Sequence, residues 1–168
     1  ERVISGTATE AFFKKFGIQK KGCFGATPDS KGNWSIPAST FVGFHNLKSV
    51  FTGLYEITSI DLRNLRTDNV NNMSQMFQGC YSLTSLNLSG WHFDNFHKFT
   101  DMFYHCPHLI SLDLSGWSWE MVIDSCDMFH GCSSLKTIRM VGCDGETITN
   151  IKKRLEKDGV KDVTIVTE

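Results

Sequence analysis

The chain has no charge excess, no long apolar run and no phosphate-binding glycine spacing, and each absence removes a class of function. Lys plus Arg number 17 and Asp plus Glu number 18, so the formal net charge is −1. A general binder of nucleic acid or membrane surfaces carries a basic excess or stripe, and none is present. No apolar run approaches the ~20 residues that a bilayer-spanning helix needs. The stretch GCFGATPDSKG lacks the Walker spacing and follows no strong strand. No signal peptide or lipid-attachment motif is visible, and Glu1 at the first position suggests a trimmed, mature chain.

What the chain does have is one phrase written three times. MFQGCYSLTSLNLSGW begins at Met76, MFYHCPHLISLDLSGW at Met102 and MFHGCSSLKTIRMVGC at Met128, each 26 residues after the one before. Within each copy the apolar spacing is Leu-x-x-Leu-x-Leu: Leu83, Leu86 and Leu88, then Leu109, Leu112 and Leu114, then Leu135, Ile138 and Met140. Alternation at the end of each set marks one face of a strand. A step back gives Ile57, Ile60 and Leu62, and another gives Trp34 and Ile36. A step of 25 forward gives Val160, Val163 and Ile165. Six strands follow, centred near residues 35, 61, 87, 113, 139 and 164. The other half of each copy also keeps step: Leu47, Val50 and Phe51 match Met73, Met76 and Phe77, then Phe99, Met102 and Phe103, then Met128 and Phe129. Spacing of i, i+3, i+4 predicts one or two helical turns.

Strand, turn, short helix and strand in one sense predict an α/β chain: a right-handed leucine-rich-repeat solenoid, parallel strands on one face and short helical turns on the other. Three segments follow. Residues 1–32 form an N-terminal cap, with a helix opened by Thr7 and Glu10 and carrying Phe12, Phe13 and Phe16. Residues 33–143 form the array. Residues 144–168 form a helix–strand cap, with Ile148, Ile151 and Leu155 at helical spacing before Gly159. Of the six cysteines, Cys80, Cys106 and Cys132 share one slot of the repeat. Identical surroundings in successive copies point to buried free thiols, with disulfides or a metal as the alternatives.

The combination of Met-Phe, Gly-Cys, Ser-Leu and Ser-Gly-Trp resembles the BspA-type leucine-rich-repeat surface proteins, over roughly Leu47 to Val166. The resemblance implies an exported, cell-attached bacterial protein that adheres to surface macromolecules and has no catalytic residues. His105 stands where the pattern has Gly, Cys143 where it has Trp, and Leu54 where it has the first Cys.

In such a fold the residues between the leucines face outward. Ser59, Ser85, Ser111, Thr137 and Asp162 belong to one column, Asp61, Asn87, Asp113, Arg139 and Thr164 to the next, and Arg63 follows Pro37 in a third. These residues are the expected ligand-binding face. It is small, polar and without aromatics, whereas protein hot spots favour Trp, Tyr and Arg. Its outward strip is on the order of 300 Å², against the ~800 Å² per partner of a stable protein interface. Flanking loops must therefore contribute, and Phe93 and Trp119 are the expected rim, or else an aromatic stack over the core edge. His105, His108 and His130 near Cys106 and Cys132 fall short of a closed zinc set, and buried periodic thiols are poor nucleophiles. The expectation is a monomeric, non-enzymatic module with no cofactor and no metal, holding a protein or glycan at a host or bacterial surface, without nucleic acid or membrane insertion. The alternative is a structural or assembly subunit packing through its exposed edges.

Overall fold

The computed structural model describes residues 2–6, 27–28, 34–36, 47–49, 51–53, 55, 57–62, 67–68, 70–95 and 97–168. In chain order these contain β1 (Arg2–Gly6), β2 (Thr27–Pro28), β3 (Trp34–Ile36), β4 (Ile57–Asp61), β5 (Ser85–Asn87), β6 (His97–Lys98), β7 (Ser111–Asp113), β8 (Val122–Asp124), β9 (Thr137–Arg139), α1 (Gly145–Lys157) and β10 (Thr164–Val166). The helix expected near Phe12, Phe13 and Phe16 lies outside the described residues.

Strands β4, β5, β7, β9 and β10 are neighbours in one sheet, all parallel. Ile60, Leu86, Leu112, Ile138 and Ile165 pair in sequence along it. The first four follow the 26-residue period, so the inward leucines of successive copies meet and none of them alone has to hide its apolar face. The last step is 27, not 25: Ile138 faces Ile165 rather than Val163. The expected sixth strand, β3, is in the sheet and runs in the same sense as β4, but does not touch it. The antiparallel β1 lies between them, pairing Ile4 with Trp34 on one side and with Ile60 on the other. The run of parallel strands therefore stops at β4 on that side. Residues 2–6 lie outside the period, which is why the periodicity carries no sign of them.

The expected short helices opposite the sheet are not helices. Residues 74–79, 100–105 and 126–131 are chains of turns. Gln75, Gly79, Asp101, His105, Asp127 and Gly131 have positive φ, which interrupts the α geometry every fourth residue. The freed N–H groups cross to the next copy: Met73, Gln75, Phe77 and Gly79 donate to the carbonyls of Lys98, Thr100, Met102 and Tyr104. Phe99, Asp101, Phe103 and His105 donate likewise to Asp124, Cys126, Met128 and His130. The i, i+3, i+4 apolar pattern survives because two consecutive turns also bring those positions to one side. Beside this arm, β6 and β8 form a second, two-stranded parallel sheet, extended by a bridge from Lys98 to Asn72.

Inside, Phe51, Phe77, Phe103 and Phe129 stack with centroids 5.3, 5.7 and 5.7 Å apart. Cys80, Cys106 and Cys132 are buried, unbridged, and donate Sγ–H to the carbonyls of Phe51, Phe77 and Phe103, each at 3.1 Å. Trp91 and Trp117 stack at 6.0 Å, and their indole N–H groups donate to the carbonyls of Leu62 and Leu88, each at 2.8 Å. Cys143, in the place of the third Trp, reaches the carbonyl of Leu114 at 3.4 Å.

Helix α1 closes the array as its spacing predicts. Asp144 caps it, accepting from the Thr147 N–H at 2.7 Å, and that bond lowers the Asp144 pKa. Its buried face is Thr147, Ile151 and Leu155, and Gly159 follows at positive φ. The Phe51, Phe77 and Phe103 N–H groups each find a carbonyl in the next copy, whereas that of Phe129 finds the Asp158 carboxylate at 3.0 Å. A side chain thus stands in for the carbonyl of a further copy. Asp158 is itself held by Arg154, with Nη2 at 2.7 Å, the Asp158 side chain fully buried and that of Arg154 largely so.

His105 and Gly131 occupy the same slot, both at positive φ. A Cβ on Gly131 would lie 3.2 Å from the His105 Cα, a backbone contact with little room to give. Gly131→Ala is expected to cost about 2 kcal/mol in a urea melt, from left-handed strain plus that contact. His105→Gly, which removes a Cβ from a strained position, is expected to change stability by under about 1 kcal/mol.

Candidate functional site

The outward residues of β5, β7 and β9, together with the register positions that continue them into β4, are the candidate site. Ser59 and Asp61 lie in β4, in register with Ser85 and Asn87 of β5, Ser111 and Asp113 of β7, and Thr137 and Arg139 of β9. The sheet thus brings all but one of the expected residues into two columns. Arg63 lies outside the described residues. Because β10 pairs two residues out from the expected register, the columns end in Thr164 and Val166 rather than in Asp162 and Thr164.

Two residues of this polar face, Asn87 and Asp113, are engaged in shaping the turns that leave the strands. Asn87 Oδ1 accepts from the Ser89 N–H at 3.1 Å and from the Ser89 hydroxyl at 2.7 Å. Asp113 Oδ1 accepts from the Ser115 N–H at 2.9 Å, and the Ser115 hydroxyl accepts from the Val141 N–H at 3.0 Å. These are Asx turns, made by short side chains that bond two residues on. The remaining Asp113 oxygen faces Arg139 Nε at 3.8 Å, a half-exposed pair that adds little stability. Arg139 and Ser111 are exposed.

Of the two readings of Phe93 and Trp119, an exposed rim or an aromatic stack over the core edge, the packing around Phe93 fits the second. Phe93 is only 9% exposed. Its ring stacks on His97 at 4.3 Å and meets Trp91, Trp117 and Phe99 edge-on. The loop turns it inward because the apolar edge of the core takes up its area. The Trp119 ring is half-buried, 6.3 Å from that of Phe99, and the Trp119 backbone N–H donates to the Thr147 hydroxyl at 2.9 Å. Neither ring is a free rim.

Exposed apolar groups sit instead ahead of the strands. Tyr55 and Tyr81 stack at 5.3 Å and stay 62% and 43% exposed, and Ile110 is 49% exposed. Tyr81 lies three residues before Thr84, whose carbonyl accepts from the Ile110 N–H at 2.8 Å, so these groups border the strand face. The sequence carried a signal for the tyrosines, since both occupy one slot at the 26-residue period. Exposure of Ile110 had none, because an isolated Ile beside a Leu reads as core.

Reactive groups are few. His105 and His130 have ring centroids 6.0 Å apart, with Tyr104 stacked on His130. No group of three or more His, Cys, Asp or Glu able to hold a metal occurs among the described residues. Burial pushes the Cys132 thiol up to about 12 and the Cys106 thiol higher still, so both stay protonated and inert at neutral pH. Cys126 is exposed, with its pKa raised by the neighbouring Asp127 carboxylate. With iodoacetamide at pH 8, peptide mass spectrometry is expected to find Cys126 alkylated in the native protein. Cys80, Cys106 and Cys132 should label only after urea is added.

The sequence profile of a family described as "Mycoplasma protein of unknown function, DUF285" matches residues 33–156. That is most of the chain, which therefore belongs to this family. No curated protein and no solved structure matches the chain.

Proposed function

We propose that this member of the DUF285 family is a non-catalytic binding module of a bacterial cell-surface protein, serving adhesion or macromolecular recognition. In this reading the parallel ladder is the strand face of a right-handed leucine-rich-repeat solenoid of the BspA type. Its ligand is a protein or glycan on a host or bacterial surface. The observation that carries the proposal is the exposed border of Tyr55, Tyr81 and Ile110 ahead of strands that present Ser111 and Arg139, on a backbone held by in-register pairing. Tyrosines supply large amphipathic contact area at low entropic cost, and Arg is the charged residue that hot spots favour. Together they supply the apolar area that the polar strip alone lacks.

The experiment is a binding screen against purified matrix proteins and arrayed glycans. It is repeated with Tyr81→Ser, Ile110→Ser and Arg139→Ala combined in one chain. These side chains are exposed, so the triple variant is expected to keep its circular dichroism and lose about tenfold or more in affinity. Unchanged binding in the folded variant moves the site elsewhere. A second reading rests on β10, which ends its sheet with strand pairing on one side only among the described residues. An open edge of this kind is a template for pairing with another chain, which suits a structural or assembly subunit. Sedimentation separates the two: a monomer favours the binding module, self-association the subunit.

A further inference from the structure

We propose that the cavity bounded by Phe93, Asp94 and His97 on one side and Ser118, Glu120 and Met121 on the other binds a primary alkylammonium group, such as a lysine side chain of a partner polypeptide. It shares no residue with the strand face, so it is a second site and stands or falls separately. The cavity holds about 230 Å³, several times the ~30 Å³ share of one water.

Its polar inventory is one-sided. His97 is fully buried, and its Nδ1 lies 2.8 Å from the Asn95 carbonyl. A carbonyl can only accept, so Nδ1 carries the proton and Nε2 presents a lone pair. Among the described residues that Nε2 has no hydrogen-bond partner. Burial also lowers the His97 pKa, which keeps the ring neutral and accepting at pH 7. The other polar side chains are mostly acceptors too: Asp94 and Glu120 are exposed carboxylates, and the Ser118 hydroxyl accepts from the Glu120 N–H at 3.4 Å. His92, which also lines the cavity, is engaged with Asp94 at 3.2 Å. A wall of acceptors with net negative charge is complemented by a group that only donates and is positive. A primary ammonium has three N–H donors and no acceptor. Phe93 and Met121 give its methylene stem an apolar wall. A sugar would bring acceptors of its own that find few donors here, and a carboxylate or phosphate would meet Asp94 and Glu120 head on.

The test is side-chain ¹⁵N NMR of the histidines in the full chain at pH 7.5, titrated with n-butylammonium chloride. The proposal expects a saturable shift of His97 Nε2 that neither n-butanol nor butyrate produces. Asp94→Asn combined with Glu120→Gln, both at exposed positions, is expected to weaken binding about fivefold. In folded His97→Phe, which keeps an aromatic ring beside Phe93, the amide shifts of Ser118 and Glu120 on adding the amine should vanish. No response of His97, an equal response to n-butanol, unchanged binding in the double variant, or retained binding in folded His97→Phe would each overturn the proposal. So would a response to methyl glycosides alone, which would make the cavity a sugar site.

Discussion

Asp158→Ala is expected to lower the unfolding free energy by about 3–5 kcal/mol in urea titrations followed by circular dichroism. The substitution leaves two groups unmatched at once. The Arg154 guanidinium loses the carboxylate that accepts from Nε and Nη2, and it is itself largely buried. The Phe129 N–H loses its acceptor in the place where earlier copies use a backbone carbonyl. An uncompensated buried charge costs more than a lost bond, which puts this change ahead of any surface substitution. Asp158→Asn keeps an oxygen for Phe129 and is expected to cost less. Equal losses for the two variants would show that the charge, not the mimicry of a carbonyl, sets the role of Asp158.

Phe103→Ala is expected to cost a similar amount, about 3–5 kcal/mol in the same titration. Its ring is fully buried between Phe77 and Phe129 at 5.7 Å on either side. Neither neighbour can collapse into the gap, because each backbone is pinned by bonds to adjacent copies. The cavity therefore stays open and its walls lose their contacts. Phe103→Leu restores most of the volume and forfeits the stacking, for an expected cost of about 1–2 kcal/mol. A loss under about 1 kcal/mol for Phe103→Ala would mean that the ladder is not the continuous core described above.

The sheet was readable in the sequence because burial on one face imposes a fixed spacing, and Leu86, Leu112 and Ile138 keep it. The free cysteines and the stacked tryptophans were readable for the same reason: one slot, one environment. The turn arm was misread because two consecutive turns and two helical turns place apolar groups alike. What separates them is positive φ at Gln75, Asp101 and Asp127, residues that carry no glycine's signature. The β10 register was missed since Val163 and Ile165 both suit an apolar slot, and only pairing geometry chooses between them. Strand β1 and the role of Asp158 lie outside any period and are visible only in space. At the candidate site, the columns were legible and their use was not: Asn87 and Asp113 were placed on the correct face, yet their oxygens shape turns. Tyr55, Tyr81 and Ile110, which border that face, draw attention only once their exposure is known.

The central claim is that equivalent apolar side chains of successive copies meet in parallel, 26 residues apart until the last step. Methyl–methyl nuclear Overhauser effects in a selectively labelled sample read this directly. The account predicts cross-peaks linking Leu86 to Leu112, Leu112 to Ile138, and Ile138 to Ile165. Absence of those peaks, or a link from Ile138 to Val163 in place of Ile165, would contradict it.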